Sequence, residues 1–205
     1  MIELEDILKN LPNKKVPGPS GIPNELLKKL QTRGKTFLIN LFYACFISEN
    51  IPDSWRQSNI YPIPKKDDWM ADLANTRPIA LMETVRKCFT KIITNRLSLI
   101  CKERNILRGP NFAGLPGEST QEPIQLLNNI CEEAKEQNKE LWILFQDTAK
   151  AFDTVNLEML NRALKRIKVP TKATELIISL FKNRSSRTII SKGLTEPIIA
   201  GNGID

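Results

Sequence analysis

The sequence contains no histidine. That absence removes the commonest general base, the Ser-His-Asp and Cys-His triads, and every histidine-containing zinc site. Cysteine is scarce and scattered: Cys45, Cys88, Cys101 and Cys131 form no Cys-x-x-Cys pair. Each lies in an apolar or helical context, as expected of reduced core thiols in an intracellular protein. No apolar run approaches the roughly 20 residues that a membrane span needs. The opening Met1-Ile2-Glu3-Leu4-Glu5-Asp6 is acidic and amphipathic, unlike a signal peptide. The expected setting is therefore the cytoplasm or nucleus, with no membrane partner. The chemistry that remains belongs to carboxylates, lysines and arginines, and through carboxylates to oxygen-ligated hard cations such as magnesium.

What is present fits a globular chain. The 205 residues are 41% hydrophobic and 26% charged, enough to bury a real core. The formal net charge is +7. A basic surplus favours a polyanionic partner, nucleic acid first and an anionic membrane surface second. Simple solvation accounts for the same surplus equally well.

One stretch organises the rest. Leu141-Trp142-Ile143-Leu144-Phe145 is a short continuous apolar run, which predicts a strand buried on both faces. It ends at a carboxylate, Asp147, and six residues later comes Asp153, directly after Phe152. From Asn156 the pattern turns helical, with Leu157, Leu160, Leu164 and Ile167 on one face. A carboxylate where a central strand emerges is in the position at which open α/β sheets place their chemistry. Asp147 and Asp153 also suit turn and helix-cap positions, which aspartate commonly fills.

The remaining elements follow from periodicity and breakers. Helices are predicted over residues 2–11, 24–30, 35–48, 83–105, 121–137 and 172–183. In the 83–105 helix, Val85, Phe89, Ile92, Ile93, Leu97 and Ile100 form the apolar stripe, with Arg86, Lys87, Lys91 and Arg96 expected outside. Before it, Ile60-Tyr61-Pro62-Ile63-Pro64-Lys65 reads as an edge strand because of its prolines, and Arg77-Pro78-Ile79-Ala80-Leu81 as its returning partner. Asp67-Asp68 between them reads as a solvated turn. The prolines and glycines of Lys15-Val16-Pro17-Gly18-Pro19-Ser20-Gly21-Ile22-Pro23 forbid a regular element. The glycines expose backbone N–H groups beside Lys14 and Lys15, a composition suited to phosphate, although by composition alone a plain rigid linker fits it better. Residues 108–116 are irregular, Ser119 or Thr120 is a natural helix cap, and residues 187–190 and 196–199 read as a hairpin.

Five of these stretches together resemble the N-terminal part of a non-LTR (LINE-type) retrotransposon reverse transcriptase domain. They are residues 14–28 with Lys-x-Pro-Gly-Pro-Ser-Gly-Ile-Pro, residues 55–65, Arg77-Pro78-Ile79, Gly117-Glu118-Ser119-Thr120, and residues 147–155 with Asp-x-x-Lys-Ala-Phe-Asp. They lie in the family's order and cover nearly the whole chain. The resemblance implies an α+β fold, an incomplete right-hand polymerase of fingers and part of the palm, helix-rich with a small sheet, over residues 1–205. It implies RNA-directed DNA synthesis with an RNA template, a DNA primer, dNTP and two magnesium ions. Asp147 would be the catalytic carboxylate and first metal ligand. Lys65 and Arg77 would neutralise the triphosphate. Phe152 would lie under the incoming sugar and disfavour a 2′-hydroxyl, while Asp153 takes a turn or cap role. Lys14, Lys15, Gly18, Ser20 and Gly21 would touch template or primer backbone.

The sequence also departs from the family. Such polymerases carry a second pair of metal-binding aspartates in a Tyr-x-Asp-Asp turn downstream of the first, and no such turn occurs in these 205 residues. Gly203-Ile204-Asp205 resembles the start of the next family block, and by the resemblance neither thumb nor upstream endonuclease is expected within these 205 residues. The expectation is a reverse transcriptase fragment, inactive alone, from a decayed retroelement copy or a partial gene. The alternatives are a nucleic-acid-binding remnant without catalysis, an inert structural remnant, or a fragment of a group II intron-type reverse transcriptase. Oligomeric state is left open.

Overall fold

A computed structural model describes every residue except Trp69, Ala71, Arg108, Pro110, Asn111, Glu118 and Asp205. Parts of the 108–116 stretch, of the Gly-Glu-Ser-Thr block and of the final Gly-Ile-Asp lie outside the described residues. The chain divides into two compact units, one formed by Met1–Ile92 with Lys150–Asp205 and the other by Ile93–Ala149.

The first unit opens with α1 (Ile2–Asn10), α2 (Asn24–Lys28) and α3 (Thr32–Ser48). Helix α3 ends where Glu49 turns left-handed, and Pro52 follows. A 3-10 turn, Asp53–Arg56, leads into β1 (Gln57–Pro64), and β2 (Thr76–Met82) returns antiparallel to it. Helix α4 (Thr84–Glu103) follows at once. After the second unit come α6 (Leu157–Arg166), α7 (Thr171–Ser179), β3 (Arg184–Ile190), β4 (Gly193–Leu194) and β5 (Ile198–Ala200). The Asn156 side chain caps α6 by accepting the amides of Glu158 and Met159.

The sheet runs β2-β1-β3-β4, with β5 also on β3, and is mixed because β1 and β3 are parallel. The expected edge strand is therefore central over part of its length. Only Gln57 to Ile60 of β1 pair with β3. Pro62 and Pro64 lie beyond that ladder, and Pro62 faces Pro78 directly. Two facing prolines fit only a pair whose nitrogens both point away from the ladder, so the missing N–H groups cost no bond.

The core of the first unit is aromatic. Phe42, Trp55 and Phe89 meet with ring centroids 5.1 to 6.2 Å apart. Leu38, Cys45, Cys88, Leu176 and Leu180 are buried with them in the same unit. Each buried leucine or phenylalanine among them contributes about 1.5–3 kcal/mol on burial. Arg86, expected outside, is only 2% exposed. Its guanidinium donates to the carbonyls of Trp55 at 2.8 Å and of Leu180 at 3.2 Å. Leu180 is the C-terminal cap of α7, where carbonyls lack helical partners and a cation suits the helix dipole. Burial, with the nearby Arg56 charge second, lowers the Arg86 pKa to about 10, so it stays cationic at neutral pH.

The second unit holds the distal part of α4 and α5 (Gln121–Glu136). The Ser119 hydroxyl accepts the Gln121 amide at 3.3 Å, so it serves the helix start, while Thr120 makes no side-chain cap bond. Ile100 of the expected stripe is exposed, and α5 buries no side chain. The predicted strand over 141–145 does not form. Those residues carry no regular structure, and Trp142 and Leu144 are 90% and 91% exposed. An apolar run specifies a wish to be buried; a strand also requires a ladder partner, and no described residue pairs with this one.

The thiols give a direct test. Cys45, Cys88 and Cys101 are buried and Cys131 is half-buried. Burial pushes the Cys88 thiol from 9.0 up to about 11. In native protein at neutral pH, only Cys131 should react readily with an aromatic disulfide reagent, and the other three only after denaturation. Because the folded thiol is the weaker acid, its contribution to stability is complete below pH 9 and is lost as pH rises toward 11. Rapid native reaction of all four thiols would contradict this core.

Candidate nucleic-acid and nucleotide site

The hairpin of β1 and β2 carries two of the expected cations. Its ladder continues past Pro64, since the Lys65 amide donates to the Asn75 carbonyl at 2.8 Å. Arg77 faces Ile63. Lys65 and Arg77 are thus diagonal neighbours on one face, roughly 7–8 Å apart by strand geometry. That face continues through Ile63, Tyr61 and Ile79, all substantially exposed. The Lys65 ammonium donates to the Ala74 carbonyl at 3.0 Å, which leaves two of its donors for a ligand. Two cations on one exposed sheet face can engage an anion as wide as a polyphosphate, and the Arg fork can do so bidentately.

The proline-glycine loop is docked rather than dangling. A Cβ on Gly18 would lie 2.5 Å from the carbonyl carbon and oxygen of Met82, so only glycine fits against that backbone. Ser20 donates its amide to Glu83 Oε1 at 2.7 Å and its hydroxyl to Oε2. Glu83 is 5% exposed, and the next residue, Thr84, donates its hydroxyl to the Ile22 carbonyl at 2.6 Å. Gly21 takes φ +72° and closes a turn to the Gly18 carbonyl at 3.0 Å. Lys14 and Lys15 are exposed, with the Lys14 amide donating to Glu25 at 2.6 Å. Of the five expected contacts, then, Gly18 and Ser20 are engaged in fixing the loop, and the two lysines face outward. The Lys14 amide is the leading cause that holds the Glu25 carboxyl below its ordinary range.

Phe152 and Asp153 sit in a turn over residues 149–154 of which Phe152 is largely exposed. Asp153 takes the turn role expected of it. The turn is held by residues that sequence reading missed. The Gly203 and Ile204 amides donate to Val155 and Phe152 carbonyls, each at 2.9 Å. Buried Arg184 donates in turn to Asn202 and Gly203. Burial is the main cause lowering the Arg184 pKa, with the Arg86 charge adding to it and Asp153 opposing it.

Asp147 lies in the second unit and is exposed. Its carboxylate is the right donor type for a hard cation. Among the described residues, however, no three Asp, Glu or Cys side chains gather in a way that would hold a metal ion. The residues present therefore fit a single ligand and do not by themselves fit a metal centre.

Residues 63–196 match the family described as reverse transcriptase (RNA-dependent DNA polymerase), and the chain belongs to that family. Members of it use divalent metal. More narrowly, the chain is a reverse transcriptase segment of the non-LTR retrotransposon type. It is 30% identical to the probable RNA-directed DNA polymerase from transposon BS of Drosophila melanogaster, over 98% of this chain and 22% of that protein. It is 28% identical to the RNA-directed DNA polymerase from mobile element jockey of the same species, over 97% of this chain and 22% of that protein. It is 28% identical to the Pol polyprotein from retrotransposable element R2 of Nasonia vitripennis, over 75% of this chain and 14% of that protein. The chain thus spans less than a quarter of the length of these relatives. No helix among the described residues is long and apolar enough to cross a membrane.

Gly18 offers the sharpest test of the docked loop. Gly18→Ala forces the Met82 backbone to move, at about 1–3 kcal/mol by analogy with overpacking. Thermal melting should fall by several degrees, at about 2–4 °C per kcal/mol for a chain of this size. An unchanged melting temperature would show that the close approach is absent.

Proposed function

We propose that this chain forms the fingers and first palm segment, an incomplete right hand, of an RNA-directed DNA polymerase. The observation that carries the reading is the shared face of Lys65 and Arg77 at the hairpin end, inside the stretch that matches the family. Lys65 and Arg77 bind the triphosphate of dNTP. Charge-assisted bonds of this kind are worth about 1.5–3 kcal/mol each. Phe152 lies under the sugar and disfavours a 2′-hydroxyl. Exposed Lys14 and Lys15 meet the phosphates of RNA template or DNA primer beside the docked loop, whose shape Gly18, Ser20 and Gly21 fix. Asp147 is the first carboxylate of a magnesium pair. The remaining carboxylates of such a pair belong to a Tyr-x-Asp-Asp turn, which these 205 residues do not include.

The binding steps can be tested on the chain alone. Lys65→Ala or Arg77→Ala should weaken dNTP binding about tenfold or more while leaving the melting temperature unchanged. Unaltered dNTP binding would remove the hairpin from the site. Replacing Lys14 and Lys15 by alanine should flatten the salt dependence of binding to an RNA–DNA hybrid, by about 0.7–0.9 in log–log slope per lost phosphate contact. For catalysis, Asp147→Asn should abolish RNA-templated primer extension by a polypeptide that joins this chain to a Tyr-x-Asp-Asp segment. Retained extension would overturn the catalytic role of Asp147.

A further inference from the structure

Arg184 is the first residue of β3 and is 8% exposed. Its Nε–H donates to the Phe181 carbonyl at 3.2 Å, and its guanidinium lies 5.7 Å from the Phe181 ring centroid. One terminal nitrogen donates to two successive carbonyls, Asn202 at 3.1 Å and Gly203 at 2.7 Å. The pairing of Arg184 with Ala200 brings those carbonyls within reach. The same short segment turns its amides the other way, Gly203 to Val155 and Ile204 to Phe152. Gly203 takes φ +88°, and a Cβ there would sit 3.0 Å from the Asp153 Cα and carbonyl oxygen. Residues 202–204 are therefore gripped on one side by a buried cation and pressed on the other against the 152–155 backbone. Phe152 itself is 69% exposed. A ring that packs so little takes its position from its backbone, and the described bonds to the carbonyls at residues 152 and 155 come from this segment.

We propose that Arg184 and Gly203 form a clasp that positions the Phe152 turn, making Arg184 a positioning residue for nucleotide selection. The selection half rests on the sugar-contact role given to Phe152 above; the clasp itself does not. The mechanism is indirect. Arg184 touches no nucleotide; it fixes residues 202–204, whose amides fix the carbonyls at residues 152 and 155. Glycine is required at 203 because any side chain would push the turn away.

The test uses the whole chain, with hydrogen exchange by mass spectrometry and competitive binding of dATP against ATP. In Arg184→Met, exchange over residues 150–156 and 200–204 should rise about tenfold or more, as expected when bonds to a charged donor are lost. Exchange at the start of α4 should stay unchanged, and Arg184→Lys should restore part of the protection. The preference for dATP over ATP should fall toward unity in step. If Arg184→Met fails to melt cooperatively, Gly203→Ala opens the same clasp from the other side while keeping the buried cation. Unchanged exchange over residues 150–156 in the folded variants would overturn the clasp. A rise in exchange in a chain with no dATP preference to lose would overturn the selection role and the sugar-contact reading of Phe152, and would leave the clasp standing.

Discussion

The first unit depends on three polar side chains buried where β2 passes into α4. Glu83, Thr84 and Arg86 are each under 6% exposed, and each ties α4 to another segment. Glu83 accepts from Ser20, Thr84 donates to Ile22, and Arg86 donates to Trp55 and Leu180. Buried polar groups are costly when unpaired, so this cluster is stabilising only while all its partners are in place. It thereby fixes, in one short stretch, the proline-glycine loop, the 3-10 turn ahead of β1 and the end of α7. The aromatic cluster of Phe42, Trp55 and Phe89 supplies apolar burial nearby, but it is the directed bonds that select one arrangement of the segments.

That arrangement bears on the proposed chemistry. A polyanion has to meet cations that are already in position, since ordering flexible lysines on binding costs side-chain entropy. The hairpin register puts Lys65 and Arg77 on one face, and Lys14 and Lys15 are exposed ahead of the loop anchored at Glu83, with the Lys14 amide on Glu25. Arg184 plays a matching part at the Phe152 turn. Two buried arginines thus act through backbone carbonyls, while the exposed cations stay available for phosphate.

Much of this was legible in the sequence. Among the described residues, helical periodicity placed the α-helices, with ends shifted by a few residues, and not the 3-10 turns at Asp53–Arg56 and Leu73–Asn75, while the apolar and proline pattern located the β1–β2 hairpin. The proline rule held for most of the stretch it addressed: of residues 60–65 only Ile60 joins the β3 ladder, while Pro62 and Pro64 lie where β1 pairs with β2 alone, and the rule did not foresee that Gln57 to Ile60 make the start of the strand central. Arg86 was missed because a cation was expected to be solvated, although its spacing of three before Phe89 and seven before Ile93 already put it beside the apolar stripe. The 141–145 run failed as a strand because pairing is a property of two segments and only one is visible in a local pattern. Nothing in the local pattern distinguished Arg184 from its exposed neighbours, since its acceptors at 202 and 203 are reached only once β5 has paired with β3. The family match supports the polymerase reading of the motifs, and the loop glycine at 18 gains a physical reason from the Met82 backbone.

The most direct measurement of the buried cluster's role is a double-mutant cycle between Ser20 and Glu83, read by urea denaturation. Ser20→Ala, Glu83→Ala and the double variant are compared with the parent chain. Ser20→Ala removes the hydroxyl bond to the buried Glu83 carboxylate and keeps the amide bond, so the cycle predicts a coupling free energy of about 0.5–3 kcal/mol from the hydroxyl alone. Losses that add within about 0.3–0.5 kcal/mol would show that the two residues are independent. In that case the Ser20 hydroxyl does not hold the loop, and the account of the buried cluster as a set of directed side-chain bonds that fixes this segment is wrong.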